Sequence, residues 1–153
     1  MKKKDNLGLH GKFELVAAHQ DGEVFATREI LNVITTVGLA SVAKLLVNDS
    51  PDAAFTYIAI GIGTGSAASD TTLDSEITTN GGARAAADSA TAAAAISTIA
   101  LEFNFTGSFA VTEVGLLNAA STGILLATQD FAAINVATGD SLTATWTITS
   151  AGV

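Results

Sequence analysis

Residues 139–150 read GDSLTATWTITS, and the order of side chains in that stretch decides the fold. From Leu142 onward, Leu142, Ala144, Trp146 and Ile148 alternate with Thr143, Thr145, Thr147 and Thr149. A period of two puts the apolar set on one face of a β-strand and the threonines on the other; a helix would spread both sets round its axis. The strand therefore needs a core on one side only, and Trp146 is expected inside it. Gly139-Asp140, just before, supplies the turn.

The same grammar extends outward. Ile99, Leu101, Phe103 and Phe105 alternate with Ala100, Glu102 and Asn104, which gives another strand with its aromatic set on one face. FAVTEVGLLNAASTGILLATQDF (109–131) reads as two strands around Ser121-Thr122-Gly123, and FAAINVATGD leads into the terminal strand. Near the other end, GKFELVAAHQDGEVFATREI (11–30) holds two β-rich runs joined by Asp21-Gly22, residues that tolerate positive φ and so favour a tight hairpin. The alanine run 90–95 is compatible with helix by propensity, but its Thr-rich flanks and the alternation that follows favour strand. One segment has helical spacing: TTVGLASVAKLLVND predicts a short helix over 37–47, closed before Pro51.

About seven or eight short strands with turn signals at regular spacing, plus one short helix, predict a mainly β chain folded as an antiparallel β-sandwich. Jelly-roll and Ig-like topologies both fit the pattern. The domain reading is an N-terminal arm, residues 1–11, followed by a single sandwich over 12–153.

YIAIGIGTGSAASDTTL (57–73) raises the main chemical question, because Gly61, Gly63 and Gly65 follow an apolar strand that is apolar on both faces. A dinucleotide fingerprint would need a third glycine where Ser66 stands and a helix after it, and a phosphate loop of the G-x-x-x-x-G-K-[ST] type needs a lysine. No lysine follows Lys44. The loop is therefore read as a place where a strand turns close to neighbouring backbone.

Other site chemistry is excluded in the same way. The 153-residue chain has no cysteine and two histidines, His10 and His19, both N-terminal, so neither a zinc site nor a nucleophile–histidine pair assembles from motif spacing. Asp70, Asp74 and Glu76 form an acidic group without the spacing of a calcium loop, and capping or a solvated turn is the plainer role. No catalytic residue, cofactor site or metal site is assigned. The net charge is −8, five of the seven basic residues lie in the first 28 positions, and nothing after Arg84 is basic, so the body would repel nucleic acid. No stretch approaches the roughly 18 apolar residues of a membrane-spanning helix, and no signal peptide is read at the N-terminus. Charged residues make up only 14% of the chain, which predicts a neutral surface of the kind that lies against neighbours.

Four segments in order, LNVITTVGLASVAKLL, FTYIAIGIGTGSAASDTTLDSEI, FNFTGSFAVTEVGLLNAASTGILLATQDF and GDSLTATWTIT, resemble a family of small tailed-bacteriophage virion proteins. Members of that family carry a Y-I-A-I-G-T-G-T loop, an E-x-G-L-F-N-A-A strand and a closing L-x-V-T-W-x-I strand. The similarity runs from about Leu31 to Thr149, is most specific at Glu113–Ala120, and departs at Ile62, where the family has Thr. The resemblance implies a non-enzymatic virion structural protein assembled in the host cytoplasm, foremost a capsid decoration or cement subunit that binds the major capsid protein. The alternative it implies is a tail, baseplate or fibre-associated protein with host-surface contact, and a carbohydrate-binding or hydrolytic sandwich is the third class. A homo-oligomer, with a trimer favoured, is expected, with no nucleic acid or membrane partner. The basic arm suggests how a neighbour is held: Lys2, Lys3 and Lys4 reach an acidic surface while Leu7 and Leu9 act as apolar anchors.

Overall fold

The computed structural model describes residues 7–49 and 52–152. In chain order the elements are β1 (Leu7–Ala18), β2 (Val24–Leu31), β3 (Val33–Ile34), α1 (Thr36–Val47), β4 (Tyr57–Gly61), β5 (Ala85–Ala86), β6 (Ser89–Ala93), β7 (Ile96–Asn104), β8 (Phe109–Leu117), β9 (Leu125–Val136) and β10 (Ser141–Gly152). They form two five-stranded antiparallel sheets, β2-β1-β10-β7-β6 and β3-β9-β8-β4-β5. The chain is mainly β with one short helix, an antiparallel β-sandwich.

The period-two reading of β10 holds residue by residue: Leu142, Ala144 and Trp146 have no exposed surface and Ile148 is buried. Trp146 stacks obliquely on Phe13 of β1, which in turn meets Phe131 of the opposite sheet, so the aromatic set links the two layers. Ile99, Leu101 and Phe103 of β7 and the following Phe105 join the same core. The Asp21-Gly22 hairpin forms between β1 and β2, with Gly22 at φ 88°. The alanine run is strand: β6 pairs with β7, and Ala94 turns the chain between them at φ 52°.

α1 spans the predicted range. Thr35 caps it: the Thr35 hydroxyl accepts the Gly38 N–H at 3.0 Å, while its own backbone N–H donates to Leu126 O. A Cβ on Gly38 would come within 2.7 Å of the Leu126 backbone, so glycine lets the helix lie directly on β9. The helix ends at Asn48 in the left-handed conformation. Pro51, expected to close it, lies outside the described residues.

The boundary of the expected arm moves. β1 begins at Leu7, and its pairing with β10 runs from Leu7 opposite Gly152 to Ala18 opposite Ser141. Residues 7–11 therefore belong to the sandwich. The segment up to Gly11 is basic and poor in apolar residues, but Gly11 has a packing reason: a Cβ there would overlap the Asn32 side chain at 2.0 Å, and Asn32 N–H donates to Gly11 O. Leu9, expected as an anchor for a partner, packs against the chain's own core. Leu7 opens the strand, and Lys2, Lys3 and Lys4 lie outside the described residues.

Candidate functional site

β4 is apolar on both faces because both are covered. Ile58 and Ile60 point into the main core, whereas Ala59 belongs to a second cluster with Leu73, Leu117 and Leu125, against which Tyr57 packs. Leu73 comes from the loop after the three glycines, which folds back over the outside of the sheet. Ile62 N–H donates to Ser75 O and Ile77 N–H to Ile60 O, so the returning chain runs beside the end of β4. Gly115 of β8 lies under Leu73, and a Cβ there would stand 2.9 Å from the leucine's Cδ2.

Under this loop lies Glu113, with only 2% of its surface exposed. It has the same parity on β8 as Gly115 and Leu117, so it faces the loop and not the main core. Its Oε1 accepts the N–H groups of Gly63 (3.0 Å) and Ser75 (2.7 Å), and its Oε2 accepts the N–H of Asp74 (3.1 Å). Three backbone donors that converge on one carboxylate form the kind of nest that binds anions elsewhere. Here the anion is part of the chain. The fit also explains the glycine spacing: a Cβ on Gly61 would lie 2.2 Å from Glu113 Oε1 and 2.5 Å from Ser75 O, and one on Gly63 would lie 2.6 Å from the same Oε1. Gly65 is needed for a different reason, its φ of 93°.

The acidic group at 70–76 is dispersed by the same fold. Asp70 Oδ2 accepts the Ala67 N–H at 2.7 Å, the Asp74 backbone joins the Glu113 nest, and Glu76 pairs with Arg84. Asp70 thus closes the turn 67–70 and caps no helix, and the three carboxylates do not converge. No group of three or more potential metal ligands occurs among the described residues. Arg84 is nearly buried and forks: Nε donates to Glu76 Oε1 (2.9 Å), and Nη1 donates to the carbonyls of Ala119 (3.2 Å) and Thr122 (2.7 Å). Asn118 closes the same β8–β9 turn, its Oδ1 accepting the Ile124 N–H at 2.7 Å. The segment Glu113–Ala120 and the loop 61–77 are therefore two halves of one clamp.

A second polar corner joins the β1–β2 hairpin to the turn before β10. Asp140 Oδ1 lies 2.9 Å from His19 Nδ1, Oδ2 accepts the Ala137 N–H at 2.8 Å, and the His19 ring stacks on Phe25 at 4.4 Å. The hydrogen bond to Asp140 holds the His19 pKa above its ordinary value, and the same bond, with the Ala137 amide, holds Asp140 below its own. His10 is exposed on β1, far along the strand from this corner. The sequence reading missed both clamps, since each joins residues distant in the chain.

No protein-family model matches the chain, and no curated protein matches it either. No helix among the described residues is long and apolar enough to cross a membrane.

Proposed function

We propose that this chain is a non-enzymatic structural subunit of a tailed-bacteriophage virion, a capsid decoration or cement protein that attaches to the major capsid protein. The observation that carries the reading is the Glu113 clamp. The glycine loop, weighed as a phosphate cradle, and the Glu113–Ala120 strand engage one another's polar groups, so that the Gly63, Asp74 and Ser75 amides are taken up by Glu113. Parts of the surface are instead apolar and neutral. Leu31, Leu46 and Val47 each expose about three quarters of their surface (75%, 75% and 73%), and every residue of β6 is exposed and uncharged. Such a surface suits contact with neighbours.

Mass spectrometry of purified particles from the phage that encodes the chain, with heads and tails separated, tests the proposal. Recovery in many copies with heads is the expected result. Recovery with tails would replace decoration by the tail or fibre role, and absence from the particle would overturn the virion reading altogether. The basic N-terminus is tested in the same preparation by deleting residues 2–6 only, because a longer cut would remove the start of β1. Weaker, more salt-sensitive attachment is expected; unchanged occupancy would show that Lys2, Lys3 and Lys4 are not contacts.

A further inference from the structure

The four sheet edges differ in how they are protected. β3 and β5, the edges of one sheet, are two residues each. β2, an edge of the other, carries Arg28 and Glu29 and has a register shift against β1 at Ala17/Ala18. Short length, charge and bulges are the devices that stop an edge from pairing with another chain. β6 has none of them: it is five residues, Ser-Ala-Thr-Ala-Ala, fully exposed, paired on one side by β7 and, among the described residues, by no strand on the other. From Ser89 to Leu101 the chain has no charged residue at all.

A second observation falls at the same place. Beside β6 the sandwich is open, and a groove of about 420 Å³ runs between the inner face of β6 and α1, lined by Leu45, Phe55, Ala90, Ala92, Leu116 and Ile148. Ala90 is opposite Ile99 and Ala92 opposite Ser97, so the small inward side chains of β6 leave this space unfilled. At the groove's helical wall, the residues after Leu45 are the exposed Leu46 and Val47.

We propose that β6 is the contact between two copies of this chain, paired antiparallel across a two-fold axis at Thr91. The occupant follows from charge and symmetry. Two bodies of net charge −8 repel, and they can meet closely only where the surface is neutral. A dyad through an edge strand makes the pairing antiparallel and isologous, with Ser89 facing Ala93, Ala90 facing Ala92, and Thr91 facing its own copy. Every facing pair is small and uncharged, and Thr–Thr is a favourable cross-strand pair. A ring that joined β6 to the β2 edge of the next copy would pair strands parallel, because both run the same way in the sheet, and would bring charge to the contact. The two grooves then become one trough on the inner side of a continuous sheet. A two-fold contact of this kind differs from the favoured trimer, and the test below separates the two. It deepens the structural-subunit reading and supplies one assembly contact of that subunit.

The absence of cysteine makes the test direct. Single cysteines are placed at each of Ser89, Ala90, Thr91, Ala92 and Ala93, with Thr27→Cys on the opposite edge as control, and the full chain is oxidised mildly in solution. Facing Cα atoms in an antiparallel pair are about 4.5–5.5 Å apart, within disulfide reach. Covalent dimer that peaks at Thr91→Cys is expected, and Thr91→Lys should weaken dimerisation by about tenfold or more in sedimentation, with the circular dichroism spectrum unchanged. Crosslinking no greater than that of the Thr27 control, a peak away from Thr91, or a trimer insensitive to Thr91→Lys would overturn the proposal. No particle is needed, so this result is independent of where the protein sits on a virion.

Discussion

Glu113 and Asp140 are both buried carboxylates that tie a turn to a strand, but they do so with different partners. Glu113 meets three backbone N–H groups and, among the described residues, no cation. Asp140 meets one backbone N–H and a half-exposed histidine. Backbone donors are always present and do not titrate in the range where proteins fold, whereas the histidine partner gains and loses its charge near neutrality. The donors of the first clamp are therefore fixed by the fold, whereas the charge of the partner in the second varies with its medium.

The largest effect should follow from emptying the fixed clamp. Glu113→Ala takes the acceptor from three N–H groups held in part-buried hydrogen bonds, and since a hydrogen bond to a charged group contributes about 1.5–3 kcal/mol, the loss should reach about 3 kcal/mol in chemical denaturation. Glu113→Gln keeps the shape but turns an amide N–H₂ toward the Asp74 or the Gly63 and Ser75 donors, and should cost less than Ala. Equal stability of all three proteins would contradict the clamp. Next comes Gly61→Ala, whose added methyl meets both Glu113 and the Ser75 carbonyl. Overpacking of this kind costs about 1–3 kcal/mol. Gly22→Ala, in open space but at positive φ, separates backbone strain from collision and should cost less.

The smallest effect belongs to the titrating corner, and its sign is fixed by the two shifts. His19 is raised above 6.5, so its contribution is complete below that value and is lost as pH rises through the higher folded pKa. Asp140 is lowered below 3.8, so its contribution is complete above that value and is lost as pH falls through the lower folded pKa. The corner should stabilise most between pH 3.8 and 6.5. His19→Gln should lower the melting temperature within that window and converge on the parent protein at alkaline pH. A difference that grows on the alkaline side would mean the shift has the opposite sign.

What the sequence disclosed and what it hid divide along contact range. The alternation in 142–148 and in 99–105, the Asp21-Gly22 turn and the helix after Thr35 are local patterns, each readable because its cause lies within a few residues. The start of β1 is hidden because the segment up to Gly11 is basic and poor in apolar residues, and the side chain that requires Gly11, Asn32, is 21 residues away. The clamp was hidden for a stronger version of the same reason: Glu113 is 38–50 positions from the amides it holds. The glycine loop was nonetheless read correctly as a close approach of backbone. Only the folded chain reveals that the thing approached is a carboxylate, and that Gly115 makes room for Leu73 above it.

Amide hydrogen exchange at Gly63, Asp74 and Ser75 tests the central claim most directly. None of the three lies within a β-strand, so without Glu113 they should exchange at loop rates. The account predicts strong protection at all three in the parent protein, lost in Glu113→Ala while the β7–β10 ladder remains protected. Rapid exchange of these amides in the parent protein, or protection that survives removal of the carboxylate, would contradict it.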